Sequence, residues 1–135
     1  MKATDLMIGD WVYCTESTCG GHRVDFVNET DGEVGVDGEI LNLDMVFPIP
    51  LTPEILEKND ITLLEVGDDG ASTPPKYRNR YEKWLVHTQW RDTYLWFDRR
   101  KNEYHFHNMN GAMFTCVHQL QHALRLCGID KEITL

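Results

Sequence analysis

The sequence predicts an α+β protein: an N-terminal SH3-like small β-barrel followed by an antiparallel β-meander with a C-terminal helix. Three observations predict it. Short stretches before residue 50 alternate apolar with polar positions. Four strand-like stretches between residues 83 and 117 are separated by short turn-like sequences, and VHQLQHALRLCG carries apolar residues at helical spacing.

The first unit is expected over residues 1–60. IGDWVYC, HRVDFVNE, EVGVD and EILNLDMVF read as half-buried strands. Gly20-Gly21, Thr30-Asp31-Gly32 and Asp37-Gly38 lie between them and tolerate the positive φ of tight turns. Strands this close together must curl to bury one shared face, hence the barrel. In PIPLTPEILEKND, Thr52 can cap a short helix whose first residue, Pro53, lacks an N–H that the helix would leave unbonded anyway. Ile55 and Leu56 then anchor that helix.

The second unit is expected over residues 61–135. It begins with the apolar run ITLLEV and the Gly/Pro-rich loop GDDGASTPPK. KWLVHT, TYLWFD, EYHFHN and AMFTCV follow as strands, joined by QWRD, RRKN and Asn110-Gly111. With two four-residue loops and a two-residue turn, one face collects Trp84, Val86, Leu95, Phe97, Tyr104, Phe106, Thr115 and Val117. That face is almost purely apolar and is assigned to the core. Leu85, His87, Tyr94, Trp96, His105, His107, Phe114 and Cys116 fall on the other. In the closing helix, Val117, Leu120, Leu124 and Cys127 form the buried stripe, and Gly128 ends it.

Size and composition narrow the function. The chain has 135 residues, 41% of them apolar, and no apolar run of membrane-spanning length. The start, MKATDLMIGDW, has no apolar signal region, which predicts a cytoplasmic protein. Cys14, Cys19, Cys116 and Cys127 then read as free thiols, with a Cys14–Cys19 bridge as the alternative. Net charge is −9, unevenly spread: residues 1–75 hold 16 acids against 3 bases, and residues 76–101 hold 8 bases against 3 acids. Overall acidity excludes a general nucleic-acid coat, while the basic strip keeps a local footprint open.

Three groups of side chains could carry chemistry. His118 and His122, four apart on a helix, have the spacing of a zinc-protease pair. The position after the first is Gln119, however, which cannot serve as general base, and both histidines point away from the apolar stripe. They are expected to face solvent or a neighbour, and their joint removal to leave the melting temperature nearly unchanged. His105 and His107 share a strand face, but Trp96 and Tyr94 beside them favour aromatic packing over metal. The third group is Tyr94, Trp96, His105 and His107 beside the basic turn Arg99-Arg100-Lys101. It could stack single-stranded nucleic acid or form a partner interface. No phosphate-cradling loop, nucleophile elbow or paired acid–base carboxylates appear, so no catalytic residue, metal or cofactor is expected.

ATDLMIGDWVY, PIPLTPEILEKN and CVHQLQHAL, in that order, resemble small uncharacterised proteins of Bacteroides-type gut bacteria and their prophages or mobile elements. The likeness spans most of the chain and is most specific at Val117, His118, Leu120 and Gln121. It implies a cytoplasmic bacterial or phage-related protein and transfers no catalytic residue. The expected function is that of a non-enzymatic accessory protein working by protein–protein contact, with an unknown partner or with itself. The alternatives are nucleic-acid binding through residues 76–107 and, third, a metal-dependent hydrolase. No membrane partner is expected.

Overall fold

The computed structural model describes residues 1–14, 20–67, 81–88, 91–99, 101–106 and 113–135. Five short strands build the first sheet: β1 (Trp11–Cys14), β2 (His22–Asn28), β3 (Glu33–Val36), β4 (Glu39–Asn42) and β5 (Val46–Pro48). Their order is β4-β3-β2-β1-β5, antiparallel throughout. Asp37 and Gly38, both with positive φ (51° and 86°), make the tight turn from β3 to β4. Alternation turns Val12, Val24, Val34 and Val36 inward, where Leu6 and Val46 complete a small core.

The SH3-like barrel expected here is not formed. The sheet is open, with β4 and β5 at opposite edges. Beyond β5 the chain turns toward the second sheet instead of curling back to β4. The Leu51 N–H donates to the Thr115 carbonyl and the Val117 N–H to the Ile49 carbonyl, each at 2.9 Å. That backbone stitch uses the segment which barrel closure would have required.

A second open sheet has the order β10-β9-β8-β7-β6. It consists of β6 (Thr62–Gly67), β7 (Tyr81–Val86), β8 (Thr93–Asp98), β9 (Glu103–Phe106) and β10 (Met113–Phe114). Among the described residues the α-helices are α1 (Pro53–Lys58) and α2 (Val117–Leu126), beside single 3-10 turns at Ala3–Asp5 and Leu43–Met45. The protein is therefore nearly all-β, not α+β. Thr52 caps α1 by accepting from the Ile55 N–H, with Pro53 in the first turn, as the sequence predicts.

Register explains which side chains reach the core. β8 and β9 pair as a four-residue turn predicts, with Leu95 opposite Phe106 and Phe97 opposite Tyr104. β7 and β8 are offset by two residues from the expected register, with Trp84 opposite Leu95. An even offset leaves the faces unchanged. At β10 the offset is odd: Phe114 lies opposite Tyr104, not on the outer face, and is buried. The connection occupies residues 107–112; Asn110-Gly111, expected to be a two-residue turn, falls outside the described residues.

The larger core lies between this sheet and α2. Trp84, Val86, Leu95, Tyr104, Phe106 and Phe114 come from the sheet, and Val117, Leu120, Ala123 and Leu124 from the helix. Ile49, Leu51, Leu56 and Ile61 close one side, so the segment between the sheets packs into this core. The tail binds over the same region. The buried Asn59 amide donates to the Thr134 carbonyl and accepts the Thr134 N–H, and the Trp11 indole donates to the Ile133 carbonyl at 2.6 Å. Among the described residues no helix is long and apolar enough to cross a membrane.

Candidate functional site

Strand alternation places Lys83, Leu85, Tyr94, Trp96 and His105 on the outer face of the second sheet. Lys83 lies directly opposite Trp96, and Leu85 opposite Tyr94. The Lys83 ammonium sits 4.3 Å from the Tyr94 ring centroid and 5.3 Å from that of Trp96. A cation held between two aromatic faces is attracted by both ring quadrupoles, and its aliphatic stem covers part of the rings. Trp96 pairs in turn with His105, which pairs with Met113. The result is a half-buried aromatic surface with its own cation, on the side of the sheet opposite the core.

Of the basic turn, Arg99 is engaged on the other side of the sheet. Arg99 donates from Nε (3.0 Å) and Nη2 (2.6 Å) to Oε1 of Glu82, whose position is on the core side of β7. Glu82 is buried, and its other oxygen accepts the Trp84 indole N–H at 3.3 Å. Such a two-donor carboxylate contact commits the guanidinium to holding the sheet. Lys101 is exposed in the turn before β9. Arg100 and His107 lie outside the described residues. Sequence reading missed Lys83 as the cation of this face, although it alternates with Leu85 on one strand.

The histidines of α2 are not solvent-facing. His118 is only 4% exposed and Gln121 is buried beside it. Opposite them is the turn entering β1, whose Asp10 is 0% exposed. Oδ2 of Asp10 accepts the Met7 N–H at 2.7 Å and lies 2.7 Å from Nε2 of His122. Arg125 Nη1 stands 3.5 Å from Oδ1. Gln121 bridges the same turn, accepting the Trp11 N–H and donating to the Gly9 carbonyl, both at 3.0 Å. The polar side of α2 is thus the contact with the first sheet. Cys127, expected in the buried stripe, is exposed instead.

The electrostatics fit a structural joint. Burial pushes the His118 imidazole below its ordinary value, against a pull upward from Asp10. Its Nδ1 is buried without a hydrogen-bond partner, as is Oδ1 of Asp10. The two imidazoles meet edge-on, 5.8 Å between centroids. Among the described residues no three His, Cys, Asp or Glu side chains converge as metal ligands. Cys14 is a free thiol whose pKa is raised by burial, then by Asp37 and Glu39; Cys116 and Cys127 are free as well, and Cys19 is outside the described residues.

No family model matches the chain, and no curated protein or solved structure matches it.

Proposed function

We propose that the protein is a non-enzymatic, cytoplasmic accessory protein that acts by protein–protein contact, of the phage- or mobile-element-related kind its sequence resembles. The observation that supports this reading is the outer face of the second sheet. Tyr94, Trp96 and Leu85 surround Lys83 there, a combination of aromatic and aliphatic area with one cation that suits a hot spot on a partner protein. Single-strand binding is less well supported. Phosphate needs uncommitted cations; Arg99 is held by Glu82 and Lys83 lies against two rings, which leaves Lys101 as the exposed cation among the described residues of this region. The histidines that motivated a hydrolase serve the joint with the first sheet.

A photo-crosslinking residue at Leu85, used in cells that make the protein, tests this reading. Crosslinks to one protein support it, and crosslinks to RNA or DNA contradict it.

A further inference from the structure

A second exposed face lies on the first sheet and has a different chemistry. Phe26, Gly35 and Ile40 form one row across β2, β3 and β4. Val34 and Val36, on either side of Gly35, point into the core, so the row faces outward. Phe26 is 43% exposed and Ile40 67%. β2 bulges between Val24 and Phe26, and the extra residue, Asp25, lays its carboxylate over Gly35. A side chain at position 35 would collide with Asp25 Oδ1 and Phe26 Cβ. Asp25 Oδ2 also accepts the Gly38 N–H at 2.8 Å. A carboxylate is therefore fixed in place on a row that carries two exposed apolar side chains.

Among the described residues no lysine or arginine answers it. Arg23 is the sole lysine or arginine in residues 20–48, against seven acidic residues. Its guanidinium is drawn away to Glu132 at 2.6 Å and to the Trp11 ring at 4.7 Å. Asp37 is held by His22 at 2.5 Å. Asp25 and Glu33, on this face, have no lysine or arginine partner among the described residues. Among the described residues the face therefore combines exposed apolar area with negative charge that no lysine or arginine pairs.

We propose that this face docks a cationic polypeptide, an arginine- or lysine-bearing segment with aliphatic residues beside the charge. A guanidinium can pair with Asp25 while its plane lies on the Phe26 ring, and an aliphatic neighbour covers Ile40. A second copy is the wrong occupant, because facing copies would oppose Asp25 and Glu33 to the same carboxylates. Polyanions are excluded by the same sign of charge. The proposal extends the protein-contact reading by naming a partner class, but on other residues, so the two fail separately.

The test is titration of the ¹⁵N-labelled full chain at physiological salt with a short peptide alternating arginine and leucine. Amide shift changes should concentrate on residues 25–40. Phe26→Ser with Ile40→Ser, which leaves charge unchanged, and separately Asp25→Asn, should each weaken binding about tenfold, the scale of one good contact. Glu54→Gln with Glu57→Gln, on the exposed side of α1, should leave the affinity nearly unchanged. The free variants' spectra report whether the fold is intact. Equal weakening by the α1 pair, shifts spread over other acidic surfaces, or no binding would overturn the proposal. So would self-association in sedimentation that Phe26→Ser with Ile40→Ser abolishes.

Discussion

Nε2 of His122 lies 2.7 Å from Oδ2 of Asp10, and this contact between residues 112 positions apart fastens α2 to the first sheet. Asp10 has no exposed surface, and its carboxylate oxygens meet His122, the Met7 N–H and Arg125. Removing one partner of a buried hydrogen bond leaves the other unsatisfied. His122→Ala is expected to cost about 2 kcal/mol of unfolding free energy in urea, and Asp10→Ala a similar amount. The double variant should cost less than the sum. The expectation from the sequence alone, that these histidines are dispensable for stability, is replaced by this one. A His122→Ala midpoint equal to that of the wild type would show that the contact holds nothing.

Acid should loosen the same joint through His118. Burial lowers its pKa from the ordinary 6.5, so the folded state holds the imidazole neutral while the unfolded chain binds a proton more readily. Stability from this group is therefore complete above 6.5 and falls as pH drops from 6.5 toward the lowered folded value. Asp10 and Asp5 oppose the shift and His122 reinforces it. Urea midpoints measured from neutral pH to about pH 5 should fall more steeply for the wild type than for His118→Gln. Parallel curves would contradict this role.

Thiol reactivity should follow burial and charge. The Cys14 thiol is partly buried, with Asp37 and Glu39 adding to the rise in its pKa, whereas Cys127 is exposed beyond the end of α2. Less thiolate means slower attack on a disulfide reagent. Cys127→Ser should remove the fast phase of labelling by a chromogenic disulfide, and Cys14→Ser should leave it. A fast phase that disappears with Cys14→Ser would reverse the assignment.

Glu82 should matter more to stability than to binding. Its carboxylate is buried and holds Arg99 and the Trp84 indole. Glu82→Ala strands both donors and is expected to cost about 2 kcal/mol in urea. Lys101→Glu, at an exposed position, should leave stability unchanged. Single-stranded DNA bound with a steep salt dependence, and weakened by Lys101→Glu, would instead favour the nucleic-acid reading.

The sequence carried the inward face of β7, β8 and β9, because Trp84, Leu95 and Phe106 alternate strictly and the RRKN turn has the length of its loop. The face of Phe114 is not legible in alternation, because it depends on the length of the preceding connection, and the structure puts it opposite Tyr104 on the core side. β6 escaped assignment as a strand of this sheet because a register shift between Leu63 and Glu65 interrupts its alternation. Barrel closure is not legible in local alternation, since it depends on where the chain goes after Pro48, and that is decided by pairing with residues 115–117. Of the candidate site, the shared face of Tyr94, Trp96 and His105 is legible because strict alternation and the four-residue turn set it. The roles of His118, His122 and Arg99 were hidden because Asp10 and Glu82 approach them only through tertiary folding.

If Tyr94 and Trp96 form a protein-binding face, their removal releases a partner, which quantitative comparison of co-purified proteins reads out. Wild type and Tyr94→Ala with Trp96→Ala would be expressed at matched levels in cells that make the protein. Circular dichroism and melting curves would establish that the variant remains folded. Because both side chains lie on the outer face of the sheet, the account predicts a folded variant that loses at least one protein recovered stoichiometrically with the wild type. A folded variant that recovers every such protein at the wild-type ratio would contradict it.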